Sequence, residues 1–194
     1  MKEIIIFGAS GRTGKEVSMA AQAKRIKVNA FNKKNPLLEE LQKAVKGVDG
    51  VVIVFGPRPP FTDIFCEDLT KKIIKAMEKE SVKRLICQTG AMIGNYPNNL
   101  KLIFRIMSNK FHKSNPEVYN DRAGQEESIK RSNLEWTIIK PPRLSDAINN
   151  KKVKSGENLK VGLMSSISRK SLAEFIINEL LNPLYNKKVV FVKN

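Results

Sequence analysis

Three glycines near the start of the chain are spaced three residues apart, at Gly8, Gly11 and Gly14. In a strand-turn-helix unit, such glycines permit a tight turn, let a pyrophosphate approach the backbone and let the helix pack on the strand. The helix N-terminus then binds the anion through its free N–H groups and its dipole. The expected phosphate-binding turn consists of Gly8, Ser10, Gly11, Arg12, Thr13 and Gly14.

Taken without its context, this spacing is equally typical of a plain tight turn. Here it follows the apolar residues 4–7 and precedes an amphipathic helical pattern. Phosphate binding requires that context, so the position of the turn favours the phosphate-binding interpretation.

The residues after the second predicted strand bear on which dinucleotide such a turn accepts. An acidic residue there bonds the ribose hydroxyls of NAD, whereas basic groups accept the 2′-phosphate of NADP. The sequence has Asn32, Lys33 and Lys34 at this place and no acid, and Arg12 adds a further cation. We therefore expect NADP as the cofactor and keep NAD as the alternative, because exposed lysines are also common on a strongly basic chain.

Short β-branched runs alternate with longer helical patterns along the chain. The expected strands are residues 3–7, 27–31, 51–55, 84–88, 136–139 and 188–192. The expected helices are residues 11–25, 37–45, 62–80, 117–131 and 171–181. Ser171 and Glu174 have the spacing of a capping box for the last helix. The alternation predicts an α/β fold, a Rossmann-type doubly wound parallel sheet with helices on both faces.

Composition and charge describe a globular chain with a strong positive charge. The 194 residues fit one domain, 1–194, with a small substrate lobe from residues 92–115 and 142–165. A net charge of +16 favours anionic partners, which include phosphate-bearing cofactors, nucleic acid and acidic membrane surfaces. Cys66, Cys87 and the single histidine support neither a disulfide framework nor a zinc site, so we expect no metal. The sequence has no apolar run of membrane-spanning length and no signal peptide pattern, which predicts a cytoplasmic protein.

Four segments carry a resemblance to a known superfamily: residues 7–14, 47–56, 82–90 and 132–141. In this order they resemble the atypical short-chain dehydrogenase/reductase superfamily, specifically its NAD(P)H-binding, NmrA-like and flavin or biliverdin reductase-like proteins. The resemblance implies that Phe55 and Gly56 line the adenosine and pyrophosphate side of the cofactor. It also implies that Thr89 and Gly90 approach the nicotinamide and that Pro141 lies near the carboxamide. Without the resemblance, Gly56 and Pro141 indicate plain strand-ending turns.

The sequence departs from this superfamily in two places. Residues 32–49 leave little room for the usual third strand, so we expect that strand to be missing and the spatial order to be 2-1-4-5-6 in the superfamily's numbering. The Tyr-x-x-x-Lys motif is absent, and Gly90 replaces the usual serine. Thr89 and Arg122 are then the candidate catalytic residues, orienting the nicotinamide ribose or the substrate; alternatively they are a turn residue and a surface arginine.

Three functional hypotheses follow. The first is an NAD(P)H-dependent oxidoreductase of a flavin, quinone or carbonyl compound bound at the substrate lobe, working as a monomer or homodimer. The second is a non-catalytic NADP(H)-sensing regulatory protein, which resembles the NmrA-like proteins. The third, nucleic-acid binding through the basic residues 101–113, is less expected, because Phe104 and Phe111 fit the inner face of a short amphipathic helix better than a base-stacking surface.

Overall fold

The structure is a computed structural model that describes residues 2–33, 35–147 and 152–194. Nine strands and six helices lie in this part of the chain. In chain order they are β1 (Glu3–Phe7), α1 (Arg12–Ala23), β2 (Lys27–Phe31), α2 (Leu38–Val45), β3 (Gly50–Ile53), α3 (Cys66–Lys79), β4 (Arg84–Gln88), α4 (Leu102–Ser114), α5 (Pro116–Lys130), β5 (Glu135–Lys140), β6 (Arg143–Ser145), β7 (Lys154–Gly156), β8 (Ser166–Ser168), α6 (Arg169–Leu181) and β9 (Lys188–Lys193).

Seven of the strands form one sheet in the order β2-β1-β3-β4-β5-β9-β7. All pairs are parallel except β7 with β9, which is antiparallel. In the described residues between β2 and β3 the chain forms only α2, so β2 lies at the edge of the sheet. The expected α/β sheet with its missing third strand is therefore confirmed, and the antiparallel edge strand β7 is an addition to it.

Helices cover both faces of this sheet, because side chains alternate along each buried strand. Ile5 and Phe7 face a core that also contains α2, α3 and α5, whereas Ile4 and Ile6 face the core of α1 and α6. None of the helices in the described part of the chain is long and apolar enough to cross a membrane.

Two predicted helix starts are wrong, and in both cases a polar side chain sets the observed start. Helix α3 begins at Cys66 instead of residue 62, where the Asp121 carboxylate accepts hydrogen bonds from the N–H groups of Phe65, Cys66 and Glu67 at 2.9–3.2 Å. Helix α6 begins at Arg169, because the Ser168 hydroxyl accepts the N–H of Ser171 at 3.1 Å. Ser171 therefore lies inside the helix and does not cap it.

The region predicted as a substrate lobe contains the short amphipathic helix expected within residues 101–113, together with short strands in and next to its second segment that were not predicted. Helix α4 fills most of residues 92–115, and the short strands β6 and β8 pair parallel to each other beside the main sheet. A bridge between Leu100 and Val161 joins the two lobe segments. Of the predicted segment 142–165, residues 148–151 lie outside the described residues.

Candidate functional site

The glycine turn joins β1 to α1 in a conformation that side chains would obstruct. Gly8 has φ +93°, and a Cβ there would lie 2.8 Å from the Phe55 nitrogen. A Cβ on Gly14 would lie 2.1 Å from the Gly8 carbonyl oxygen, so only glycine lets α1 pack this closely on β1. Gly11 caps α1 without a side chain, which leaves the first N–H groups of the helix open to a ligand.

The carboxyl ends of β1, β3, β4 and β5 open into one cleft with a volume of about 1450 Å³. It brings together nearly all of the predicted site residues: Gly8, Ser10, Gly11, Arg12, Thr13, Asn32, Lys33, Phe55, Gly56, Thr89, Gly90, Arg122 and Pro141. Gly14 lies below the cleft, against Gly8 and Ala9. Ligands of open parallel sheets bind at this edge.

Arg12 contacts a carboxylate that is distant along the chain. Its Nη1 lies 3.2 Å from Asp146 Oδ2, and the other oxygen of Asp146 pairs with Arg169 Nη1 at 2.5 Å. The Arg12 side chain remains largely exposed, at 75%. An exposed pair of this kind is weak, so an incoming phosphate could displace Asp146 at little cost.

Lys33 also has a carboxylate partner, Glu40 in the first turn of α2. Its Nζ lies 2.5 Å from Glu40 Oε1, and this contact lowers the pKa of Glu40. The Ser10 N–H donates to Asn32 Oδ1 at 3.3 Å, which fixes the asparagine beside the glycine turn. Lys34 lies outside the described residues.

Thr89 joins the cleft to a buried polar network that we did not predict from the sequence. Its hydroxyl donates to Glu126 Oε1 at 2.6 Å, and Glu126 Oε1 also forms an ion pair with Lys140 Nζ. Tyr96 donates its hydroxyl to the other Glu126 oxygen at 3.0 Å, and Lys140 donates to the Ile93 carbonyl at 2.7 Å. Burial lowers the pKa of Lys140, although Glu126 opposes this effect. Burial and the Glu126 charge raise the pKa of Tyr96.

Arg122 lies buried behind the cleft rather than on the surface. Its guanidinium donates to the carbonyl oxygens of Phe55 at 3.0 Å and Gln88 at 3.2 Å, and to Gln125 Oε1 at 2.6 Å. Gln125 in turn donates to the Thr70 hydroxyl at 2.8 Å. Arg122 therefore connects the residues after β3 and at the end of β4 to α5 by hydrogen bonds. Its positive charge lines the inner side of the cleft.

The missed network left a weak signal in the sequence. Lys140 ends a strand whose preceding residues are buried, and Glu126 lies on a helix whose inner face is largely polar. A buried charge requires a partner, so the two opposite charges could have been paired by that argument. In residues 2–33, 35–147 and 152–194, no cluster of three His, Cys, Asp or Glu side chains could hold a metal ion.

Comparison with known proteins gives a family for the chain. A family model described as NAD(P)H-binding matches residues 35–183, which is more than half of the sequence. No curated protein matches the sequence significantly.

Solved structures with this fold are similar over the full chain but distant in sequence. The oxidoreductase ylbE from Lactococcus lactis has a TM-score of 0.77 at 19% identity, covering 99% of this chain and 90% of its own. A short-chain dehydrogenase/reductase from Veillonella parvula DSM 2008, solved in complex with NADP, has a TM-score of 0.75 at 15% identity, covering 100% of this chain and 94% of its own. A proposed NADH-flavin reductase from Streptococcus pneumoniae TIGR4 has a TM-score of 0.75 at 18% identity, covering 100% of both chains. At these identities the likeness shows the fold alone.

Proposed function

This chain belongs to the NAD(P)H-binding family, and on that premise we propose that it is a member of the atypical short-chain dehydrogenase/reductase superfamily and an NADPH-dependent reductase of a flavin or quinone. The observation that carries the proposal is the single cleft that starts at the glycine turn and continues past Thr89 to an apolar end.

The turn fits a dinucleotide. Gly11 leaves the N-terminus of α1 free of side-chain bulk. Gly8 and Gly14 lie so close to the backbones of Phe55 and Gly8, respectively, that a Cβ at either position would clash. The pyrophosphate would accept hydrogen bonds from the N–H groups at the start of α1. When bound there, NADPH would supply a hydride from its nicotinamide ring.

The far end of the cleft suits a planar apolar acceptor. Phe104, Met107 and Phe111 of α4 line it together with Leu163 from the second lobe segment. Ligand pockets of drug-sized molecules are about 300–1,000 Å³, and this cleft has about 1450 Å³. The extra volume supports a second ligand beside a dinucleotide.

Thr89 would orient the reactants without giving up its proton. Its hydroxyl hydrogen is directed at Glu126, and its oxygen accepts a long hydrogen bond of 3.5 Å from Lys140 Nζ. One lone pair of that oxygen is left to accept a hydrogen bond from a ligand, and no second proton is available to donate. That arrangement suits a group with N–H or O–H donors, such as the nicotinamide carboxamide or a ribose hydroxyl. Flavins and quinones suit such a site, because their reduction depends more on position than on a dedicated acid.

The preference for NADP rests on Lys33 and Arg12. Both stand at the glycine-turn end of the cleft, and both are exposed cations whose carboxylate partners are exchangeable. The NADP seen in the Veillonella parvula relative is compatible with this preference.

Steady-state oxidation of NADPH with a panel of flavins and quinones tests the proposal. We expect turnover with at least one acceptor and slower turnover with NADH at equal concentration. Binding of NADPH without turnover by any acceptor would overturn the reductase assignment.

A non-catalytic NADP(H) sensor is the second candidate. It is favoured because the hydrogen-bonding groups of Thr89 and Arg122, the two candidate catalytic residues, already have partners within the protein. The Thr89 hydroxyl is already donated to Glu126, and three acceptors already surround the Arg122 guanidinium. A sensor requires different conformations with and without cofactor. Cofactor-dependent protection in hydrogen exchange that extends into α4, together with no turnover, would select this candidate.

A further inference from the structure

Helix α4 turns an apolar face toward solvent. Leu102, Ile103, Ile106 and Met107 are 41–62% exposed, although they are large hydrophobic residues. The opposite face holds the helix in place, because Phe104 is buried among lobe residues and Ser108 donates its hydroxyl to the Met92 carbonyl at 2.7 Å. The outward orientation of the apolar face is therefore fixed by packing.

The second lobe segment extends this apolar surface. The Lys101 N–H donates to the Val161 carbonyl at 2.9 Å, which places the loop after Val161 beside the first turn of α4. In that loop Leu163 is 51% and Met164 88% exposed. We call Leu102, Ile103, Ile106, Met107, Leu163 and Met164 the α4 patch. A contiguous exposed surface of this kind usually marks an interaction site.

Cations surround the α4 patch. Lys110 follows Ile106 by four residues and Ile103 by seven, so it lies on the same exposed face one or two turns further along. Lys113 follows Ile106 by seven residues and continues that face, and Arg105 flanks it. Residues 81–116 contain no aspartate or glutamate at all. The face is therefore apolar at its N-terminal half and basic at its C-terminal half.

A further basic group borders the start of the helix. Lys193 donates to the Lys160 carbonyl at 2.7 Å. The next residue, Val161, accepts the Lys101 N–H through its carbonyl, so Lys193 lies near the start of α4. In keeping with this, burial and the charges of Lys101 and Lys154 lower the pKa of Lys193. Both ends of the α4 patch thus carry positive charge.

We propose that the α4 patch docks on the surface of an anionic lipid bilayer. An interfacial helix combines an apolar face that enters the headgroup boundary with lysine and arginine that attract anionic lipids. The long lysine side chains can reach the headgroups while their stems lie along the apolar surface. The net charge of +16 adds long-range attraction to such a membrane.

Two other occupants fit less well. A second copy of the chain would bring the same cations against each other in a two-fold contact, with no acid on α4 to pair them. Single-stranded nucleic acid would need exposed aromatic rings for stacking, whereas Phe104 is buried and Phe111 is half-buried with its ring against Phe61. The exposed residues of the patch are aliphatic or methionine.

Docking would also place the cleft at the membrane. Met107 and Leu163 belong to the α4 patch and line the apolar end of the cleft as well. If the chain is the reductase proposed above, an acceptor dissolved in the bilayer, such as a long-chain quinone, reaches the cleft without crossing water. This last step rests on the proposed function, whereas docking itself does not.

Vesicle flotation of the full chain without cofactor tests docking. We expect at least about tenfold stronger partitioning onto vesicles of equal parts phosphatidylcholine and phosphatidylglycerol than onto phosphatidylcholine alone. The double variant Ile103→Glu/Ile106→Glu should lose at least about tenfold of that partitioning. Met19→Glu/Leu184→Glu is the matched control, because it adds the same two charges at exposed apolar residues outside the patch. Circular dichroism establishes that both variants fold.

Three results would overturn the docking proposal. The first is no binding to the anionic vesicles. The second is an equal loss of vesicle binding in the two double variants. The third is that Ile103→Glu/Ile106→Glu abolishes self-association or duplex binding while vesicle binding is unchanged. Failure to bind NADPH would overturn the proposed function but leave the flotation result standing.

Discussion

The Lys140 ammonium and the Glu126 carboxylate form an ion pair whose two side chains are at most 1% exposed. The pair lies directly behind the Thr89 hydroxyl, at the carboxyl edge where the cleft opens. Each charge is costly to bury alone, and the attraction between the two offsets part of that cost. The position of Thr89 in the cleft therefore depends on two residues that do not themselves line the cleft.

Removal of one member of this pair should destabilise the protein strongly. Lys140→Met leaves the Glu126 charge buried, and we expect the free energy of unfolding to fall by about 3–5 kcal/mol. The double variant Lys140→Met/Glu126→Gln should recover much of that loss, because no charge remains buried. Urea unfolding of the wild type, both single variants and the double variant measures the coupling. Additive losses would contradict the pairing.

Gly14 should matter for folding rather than for ligand contact. In Gly14→Ala the new methyl group meets the Gly8 carbonyl and the Ala9 backbone, so α1 must shift on β1. We expect a loss of about 1–3 kcal/mol in the free energy of unfolding. Gly90→Ala is a suitable control, because its Cβ would meet only Ile93 at 3.9 Å. Equal stability of Gly14→Ala and the wild type would show that the turn is looser than described.

Glu40 should reduce the preference for NADPH by competing for Lys33. Glu40→Gln keeps an acceptor for the Leu37 N–H but removes the charge that pairs with Lys33. The gain in NADPH affinity should be a few-fold at most, because an exposed ion pair is weak, while NADH affinity stays the same. Glu39→Gln is the control, since it removes the same charge from the neighbouring residue of α2. An equal gain in NADH affinity would show that Lys33 does not bind the 2′-phosphate.

Both cysteines should be unreactive in the folded protein. Burial raises the pKa of Cys66 and of Cys87 to about 12. Only the thiolate reacts, and at pH 8 it is about one part in ten thousand of such a thiol. A thiol reagent should therefore label neither residue at pH 8 and both in denaturant, with reaction in the folded state appearing only as the pH approaches 12. Rapid labelling of one thiol at pH 8 would indicate that its surroundings open.

The sequence predicted those features that depend on neighbouring residues. The six parallel strands of the sheet and the turn at Gly8 follow from apolar runs and glycine spacing, and both are local patterns. Glu126 and Lys140 depend on a contact between a helix and a strand, and neither pattern contains that information. The start of α3 was missed for the same reason, because its cap is Asp121, 55 residues from Cys66 along the chain. The alternative interpretation of Arg122 as a surface arginine is wrong, because the structure buries that face of α5.

The central claim is that the turn from Gly8 to Gly14 binds the pyrophosphate of a nicotinamide dinucleotide. Calorimetric titration of the wild type and of Gly11→Val with NADPH and NADH tests it most directly. The N-cap glycine has φ −71° and ψ 163°, which valine can adopt, but a Cβ there would lie 3.3 Å from the Gly8 carbonyl oxygen, so circular dichroism first establishes that the variant folds. The valine side chain would then stand where we expect the phosphate. We predict micromolar binding of NADPH to the wild type, weaker binding of NADH, and at least about tenfold weaker NADPH binding to the variant. No binding of either dinucleotide to the wild type, or equal affinity in the variant, would contradict the claim.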